Sequence, residues 1–413
     1  MQEPRHASRR FRLTFAALLA GLSTLGPFSI DAYLPAFAGM QASLAATPLE
    51  IQQTLSGYLF AFGVMFLFHG ALSDSFGRRP VILVAVAVYA AASLWCAIAG
   101  SVQGLIVGRV VQGLSVGAGM VVGRAMIRVL FGPEDAQRLM SLVTLFFGLA
   151  PAIAPVIGGW LFIGLGWRSI FYFLTAVGVL LLAVSWRYLP ETLRPEERQS
   201  FHPIALIRGY REVGAHLRFL LLSLAAGLNF NGFFLYIVSA PMFLGTHLHI
   251  GPEAYAWLFV PCILGIMVGS QLSGRAAGRL PAAETVKRAY MFMATAAAVN
   301  LAYAVLVSEP SVPWAVLPLA LYGVGFAMAM PSISLITLDL FPTRRGMAAS
   351  LQGFVSGMVN VLTAGVISAL LWDDPLWLAL GMVAMMLAAF GCWQLYLRST
   401  RTRAGLPPEL PVG

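Results

Sequence analysis

Charged residues are scarce in this sequence. They make up 10% of the 413 residues, whereas hydrophobic residues make up 59%. An ordinary soluble domain carries about 25% charged residues, so a water-soluble fold could not cover this much apolar surface. Lysine is almost missing as well. Lys287 is the single lysine, and arginine supplies every other basic side chain of a protein whose net charge is +9.

Residues that hold metals, disulfides or catalytic groups are also few. The three cysteines lie inside apolar blocks and lack ligand spacing. His247 and His249 have no other ligand candidate near them in the sequence, so we expect neither a metal site nor a cofactor. An intramembrane enzyme would need paired acids, a His-Glu-x-x-His helix, or a serine with a histidine deep in the bilayer. The sequence offers none of these, and we do not expect an enzyme.

The apolar residues fall in blocks of roughly 20, the length at which an α-helix crosses about 30 Å of hydrocarbon. The blocks predict an all-α integral membrane protein with twelve transmembrane helices. The first six spans are expected near residues 13–36, 51–73, 80–100, 103–126, 139–164 and 169–190. The second six are expected near residues 218–243, 254–274, 286–307, 312–338, 346–371 and 376–397.

One long polar stretch divides the spans into two sets. Residues 191–217 are expected to form a cytoplasmic linker with a surface helix near 203–211. This places an N-terminal six-helix bundle at 1–190, a C-terminal six-helix bundle at 218–398 and a cytoplasmic tail at 399–413.

The positive charges predict the orientation of the spans. All basic residues except Arg109 and Arg168 lie in the termini, in every second loop, or at the span ends beside them. The positive-inside rule then places both termini in the cytoplasm of a bacterial cell, with the chain in the inner membrane and lipid around it. Charges confined to short loops also speak against a nucleic-acid partner. We expect a monomer.

Two ionisable residues are predicted deep in the membrane. Asp31 is the only carboxylate well inside a span, and Arg109 lies within span 4. Because a charge near the bilayer centre costs at least about 2.5 kcal/mol, we expect the two to meet. Burial favours the neutral acid and a nearby arginine favours its charged form, so the pair suits proton coupling, with a purely structural ion pair as the alternative. For His69, near the end of span 2, we expect a packing role, with proton coupling as the alternative.

The loop after span 2 reads GALSDSFGRRP at residues 70–80. Its glycines permit a tight turn, its arginines can anchor at anionic headgroups, and its acid can pair with an arginine or a helix N-terminus. The whole string resembles the signature loop of the major facilitator superfamily. That resemblance implies a major facilitator fold and a gate latch between the halves in the outward-facing state. The gate-loop candidates are Gly70, Asp74, Gly77, Arg78 and Arg79.

Span 5 is similar to the antiporter motif of drug exporters, although its small residues also suit close helix packing and a kink. The motif candidates are Pro151, Pro155, Gly158 and Gly159. Residues 29–35, SIDAYLP, resemble the span-1 signature of the Bcr/CflA drug-resistance exporters, and the likeness extends over nearly the whole chain. Two departures are Ala154, where the antiporter motif usually has glycine, and Val129, where the group commonly has aspartate.

Aromatic and amide residues on the spans that line the centre in this family are candidates for a substrate cavity. Aromatic residues at helical spacing serve more often in packing than in binding, but an apolar pocket with few polar groups suits varied amphiphilic drugs. The cavity candidates are Tyr33, Tyr58, Phe62, Asn229, Phe233 and Tyr236.

Together these features predict a carrier that exports small drug-like molecules in exchange for protons by alternating access of its two halves. The alternative is a proton-coupled importer or exporter of a small metabolite. An organic-anion importer would need more cations inside the membrane than Arg109. The gate loop is typical of carriers that change conformation during transport, so we do not expect a passive channel.

Overall fold

The computed structural model describes residues 9–404, without the side chains of residues 9–13, 133, 134, 141, 144 and 401–404. The described residues form helices and no strand. The start of the chain and residues 405–413 of the predicted tail lie outside this description.

The helices follow the predicted order of spans. The first half contains α1 (Arg9–Asp31), α2 (Phe37–Leu44), α3 (Pro48–Met65), α4 (His69–Phe76), α5 (Arg78–Ile98), α6 (Val102–Val116), α7 (Ala118–Leu130), α8 (Pro133–Leu165) and α9 (Arg168–Tyr188). After the linker helix α10 (Pro203–Gly214), the second half contains α11 (Leu217–Val238), α12 (Ala240–Met242), α13 (Ala256–Ala276), α14 (Ala282–Leu306), α15 (Leu317–Asp339), α16 (Arg345–Leu362), α17 (Ser368–Leu371) and α18 (Pro375–Ala404). Among the described residues, eleven segments are long and apolar enough to cross a membrane, and α3 with α4 makes a twelfth. The predicted all-α fold with twelve spans is confirmed.

Span 1 differs from its prediction because it is broken and longer. The helix stops at Asp31, passes through a 3-10 turn at Leu34–Ala36 and resumes as α2. Pro35 explains the break, since proline lacks an N–H and restricts the residue before it. The span therefore ends at Leu44 and not near residue 36.

Span 2 is bent by 51° between α3 and α4. No proline or glycine lies at residues 66–68, and two contacts from other elements reach this point. The hydroxyl of Tyr210, on the linker helix, donates to the carbonyl of Leu67 at 2.8 Å. Phe66 packs against Gly353 of α16. A side chain that inserts into the helical hydrogen-bond ladder is a known cause of kinks.

The end of the bundle that carries most arginines is called the basic end here, and the other is called the outer end. At the outer end the halves are joined through Gln52 of α3, whose Nε2 donates to the carbonyls of Ala364 at 2.9 Å and Val238 at 3.4 Å. In the middle of the interface, Gly63 and Gly357 bring α3 and α16 into backbone contact. The outer end of the interface is therefore closed.

Candidate functional site

A buried guanidinium group forms the centre of the first half. Arg109 on α6 is completely buried, and it donates to Gln112 Oε1 and, at 3.1 Å, to the carbonyl of Ser29. Its guanidinium carbon lies 4.3 Å from the ring centre of Tyr33 and 4.2 Å from that of Tyr58. Both distances permit cation–π attraction, which is strongest where water is excluded. We call these five residues the arginine cage.

Asp31 lies beside this cage but does not join it. The residue is 4% exposed, and no hydrogen bond or ion pair links its carboxylate to any residue between 9 and 404 whose side chain is described. The predicted contact between Asp31 and Arg109 is thus absent from this conformation. The physical reason is that a backbone carbonyl, an amide and two aromatic faces already stabilise the guanidinium. A coupling role for either residue stays a prediction.

Glycines of the antiporter motif hold the region around Asp31 together. A methyl group on Gly158 would lie 1.7 Å from the carbonyl oxygen of Ala32, so only glycine lets α8 approach the break in span 1. A methyl group on Gly159 would lie 2.4 Å from the carbonyl oxygen of Pro252, in the second half. Gly158 therefore lets α8 pack against the break after Asp31, and Gly159 lets α8 pack against the second half at the closed outer end. Pro151 and Pro155 lie inside α8, which continues through both.

The gate loop is bound to the end of span 6. Gly77 has a φ of 97°, a conformation that favours glycine. A carboxylate oxygen of Glu191 accepts the N–H of Arg78 and the other accepts that of Arg79, each at 3.2 Å. Oε1 of Glu191 also accepts the N–H of Thr192 at 2.8 Å. Glu191 thereby caps the N-terminus of α5, where a negative charge is favourable.

The arginine side chains of the loop make further contacts within the first half and the linker. Arg79 donates to the carbonyls of Leu189 at 2.9 Å and Trp186 at 2.7 Å. The carbonyl of Asp74 accepts the N–H of Gln199 in the linker at 3.0 Å. The hydrogen bonds described between this loop and residues distant in the sequence reach residues 186–199. The latch to the second half stays a prediction. A methyl group on Gly70 would meet no described atom of another part of the chain within 4 Å.

Replacing Glu191 by alanine is expected to destabilise the first half by about 1–2 kcal/mol, the usual cost of a lost helix cap. The apparent melting temperature of the purified protein should fall. Glu196→Ala is the matched control, because Glu196 is exposed and lies in the same linker. Equal melting temperatures for the two variants would contradict a capping role of Glu191.

The side chains of the six cavity candidates pack against, or form hydrogen bonds with, other residues of the chain. Tyr33 and Tyr58 belong to the arginine cage. Phe62 packs on Phe66 with ring centres 4.9 Å apart. In the second half, Phe233 packs on Phe326 with ring centres 5.6 Å apart. The remaining two donate or accept within a polar pair, Asn229 with the Tyr290 hydroxyl at 3.1 Å and Tyr236 with Asn300 at 2.7 Å. The structure does not bring the six together around one open pocket.

Sequence reasoning missed the polar residues that support the cage from span 3. The hydroxyl groups of Ser29 and Tyr89 lie 2.6 Å apart, and the Gln112 amide donates to Ser93 at 2.8 Å. Tyr89 and Ser93 are four residues apart in α5, the spacing that puts two side chains on one face of a helix. That spacing was the available signal. It extends the cage into a buried polar chain from span 3 to span 1.

Arg168 is one of the two arginines that do not lie on the side predicted to be cytoplasmic. The contacts of its side chain explain its position. Its guanidinium donates to the carbonyl of Ala99 at 3.0 Å and to Ser43 Oγ at 3.2 Å. It also lies over the ring of Trp167 at 4.2 Å. Arg168 therefore ties the outer ends of spans 1, 3 and 6 together.

Comparisons with known proteins agree in one family. The family described as Major Facilitator Superfamily matches residues 13–364 and 222–411. A bicyclomycin resistance protein homolog of Haemophilus influenzae is 30% identical, with 87% of this chain and 90% of the relative covered. A chloramphenicol resistance protein of Pseudomonas aeruginosa is 29% identical (76% and 74%), and multidrug resistance protein D of Escherichia coli is 26% identical (97% and 99%).

Solved structures show the same fold. The crystal structure of a D-xylose-proton symporter has a TM-score of 0.74 at 14% identity and covers 94% of this chain and 98% of the symporter. A bacterial homolog of the human lysosomal transporter Spinster, in an inward-facing and occupied conformation, has a TM-score of 0.72 at 17% identity, with 97% and 100% covered. The resemblance noted in the sequence and the prediction of a transporter that is not an enzyme are both confirmed.

Proposed function

The chain belongs to the major facilitator superfamily, and we propose that it exports small amphiphilic drugs from a bacterial cell in exchange for protons. Relatives with resistance to bicyclomycin, chloramphenicol or several drugs in their names support drugs as the cargo. The observation that carries the proton exchange is Asp31, a buried carboxyl group without a partner among the described residues, at a helix break beside the antiporter motif.

Asp31 suits proton exchange because its surroundings change when the halves move. A buried carboxyl group without a charged partner is favoured as the neutral acid, and water or a charged neighbour favours its ionised form. Gly158 packs against the break in span 1, and its neighbour Gly159 packs against Pro252 of the second half at the closed outer end. Opening the outer end thus rearranges the backbone next to Asp31, and this couples its protonation to the conformation.

The proposed transport cycle alternates between two states. In the inward-facing state, with the arginines at the cytoplasmic side, Asp31 releases its proton to the cytoplasm and the drug binds. The halves then rock about the central site. From the outward-facing state, protonation of Asp31 favours release of the drug. The arginine cage stays intact and keeps spans 1, 2 and 4 in register throughout. The carrier works in the inner membrane as a monomer, with both termini in the cytoplasm.

Expression in a bacterium without its own major efflux pumps tests the proposed cargo. Cells with the wild-type chain should grow at higher concentrations of at least one phenicol or amphiphilic dye, and a protonophore should restore drug accumulation. Cells with the same amount of Asp31→Asn in their membranes provide the control. Unchanged susceptibility to the whole panel, with the protein present in the membrane, would contradict drug export and favour a metabolite as the cargo.

A further inference from the structure

One face of the linker helix α10 packs against the bundle. Gly209 and Val213 on this face are buried. A methyl group on Gly209 would lie 2.6 Å from Cε of Met347 on α16. Val213 packs in a small apolar cluster with Phe219 of α11 and Ala348 of α16. Protein neighbours therefore cover this face of the helix.

The opposite face of α10 has no such cover. It carries Ile204, Ile207, Arg208 and Arg211, whose spacing of three, four and seven residues places them on one side of an α-helix. All four are exposed, Ile204 by 76% and Ile207 by 63%. We call these four residues the linker face. It combines two large apolar side chains with two positive charges and points away from the bundle.

The positive charges of the linker face are not neutralised within the described part of the chain. Neither Arg208 nor Arg211 forms a hydrogen bond or an ion pair with a described residue. Glu212 is the only acid in α10, and it is paired with Arg344. Arginines without a partner at a membrane surface attract anionic lipid headgroups.

Both ends of α10 are held at the level where membrane spans begin or end. After the helix, only Ala215 and His216 precede α11, which is span 7. Before the helix, the N–H of Gln199 donates to the carbonyl of Asp74, in the last turns of span 2, at 3.0 Å. Between these two points, α10 packs on the first turns of α16, which is span 11. The helix therefore lies along the basic end of the bundle, at the height of the lipid headgroups.

We propose that the linker face binds the anionic surface of the surrounding membrane. Its two isoleucines enter the boundary between headgroups and acyl chains, and its two arginines bind lipid phosphates. The same helix carries Tyr210, whose hydroxyl donates to the Leu67 carbonyl at the bend of span 2. Binding to the membrane thus holds the linker helix against this bend, whatever cargo the carrier moves.

A spin label on the linker face tests the proposal in lipid nanodiscs. Ile207→Cys is labelled with a nitroxide in the full chain carrying Cys392→Ala, since Cys96 and Cys262 are buried. In phosphatidylglycerol the label should be reached by oxygen, which dissolves in the membrane, and shielded from a water-soluble nickel chelate. Ala205→Cys is the matched control. Ala205 is exposed on the flank of the same helix, so the nickel chelate should reach a label there.

The lipid headgroup and the arginines provide the second arm of the test. In phosphatidylcholine the ratio of membrane-buried to water-exposed label should fall about fivefold for each arginine that loses its anionic partner. Arg208→Gln in phosphatidylglycerol should lower the ratio about fivefold by itself. Ile204→Cys gives an independent reading should Ile207→Cys fold poorly. A label that the nickel chelate reaches in phosphatidylglycerol, a label shielded from both agents by a second protein copy, or equal ratios in the two lipids would each overturn the proposal.

Discussion

Asp31→Asn is expected to abolish proton-driven drug export while leaving the fold intact. Asparagine has the shape of aspartate but cannot bind or release a proton. Because no described residue bonds to the Asp31 carboxylate, the substitution breaks no contact and should change the apparent melting temperature little. Export should fall to the level of vesicles without the protein. Drug exchange between two sides at equal pH should persist.

The matched control for this variant is Asp373→Asn. Asp373 is exposed in the loop before α18, outside the spans, so its loss should leave export unchanged. Export by Asp31→Asn at the wild-type rate in the same assay would show that the proton binds elsewhere. His69, buried at the bend of span 2, would then be the next residue to replace.

Gly158→Ala is expected to abolish transport and to destabilise the protein. The new methyl carbon would lie 1.7 Å from the carbonyl oxygen of Ala32. This neighbour is backbone and cannot turn aside, so α8 must move away from the break in span 1. Overpacking of this kind costs about 1–3 kcal/mol and occasionally more, and here we expect the upper end of that range. Displacement of the break also moves Asp31, so transport is lost together with stability.

Gly164→Ala separates this effect from a general effect of alanine in α8. Gly164 lies on the same helix, and a methyl group there meets no described atom within 4 Å. Alanine is also the better helix former by up to about 1 kcal/mol. Thermal stability and transport should equal or exceed those of the wild type. Equal losses in both variants would contradict a specific contact between Gly158 and Ala32.

The spans could be predicted from the sequence because block length and arginine placement are local features. The breaks in the spans could be predicted only in part. Pro35 marks the break in span 1, whereas the bend in span 2 receives a hydrogen bond from Tyr210, 143 residues from Leu67. No local pattern at residues 66–68 reports such a contact.

The candidate site was predicted as residues but not as geometry. The cost of burying Arg109 indicated that it needs partners, and the search for an opposite charge pointed to Asp31. In the structure, the Arg109 guanidinium is stabilised instead by the carbonyl of Ser29 and by the rings of Tyr33 and Tyr58. Aromatic faces and backbone carbonyls carry no signature in one sequence, so this solution could not be distinguished from an ion pair in advance.

Glu191 illustrates the same limit at the gate loop. Nothing near Glu191 in the sequence connects it with Arg78 and Arg79, more than a hundred residues earlier. The connection depends on the ends of spans 3 and 6 being neighbours. Helix packing decides this, and local patterning does not.

Transport of labelled chloramphenicol into proteoliposomes under an imposed pH gradient tests the proposed proton exchange most directly. Vesicles that are acidic inside should accumulate the drug above its external concentration, a protonophore should abolish the accumulation, and Asp31→Asn vesicles should show none. Accumulation that ignores the gradient, or that requires an acidic exterior, would contradict drug–proton exchange.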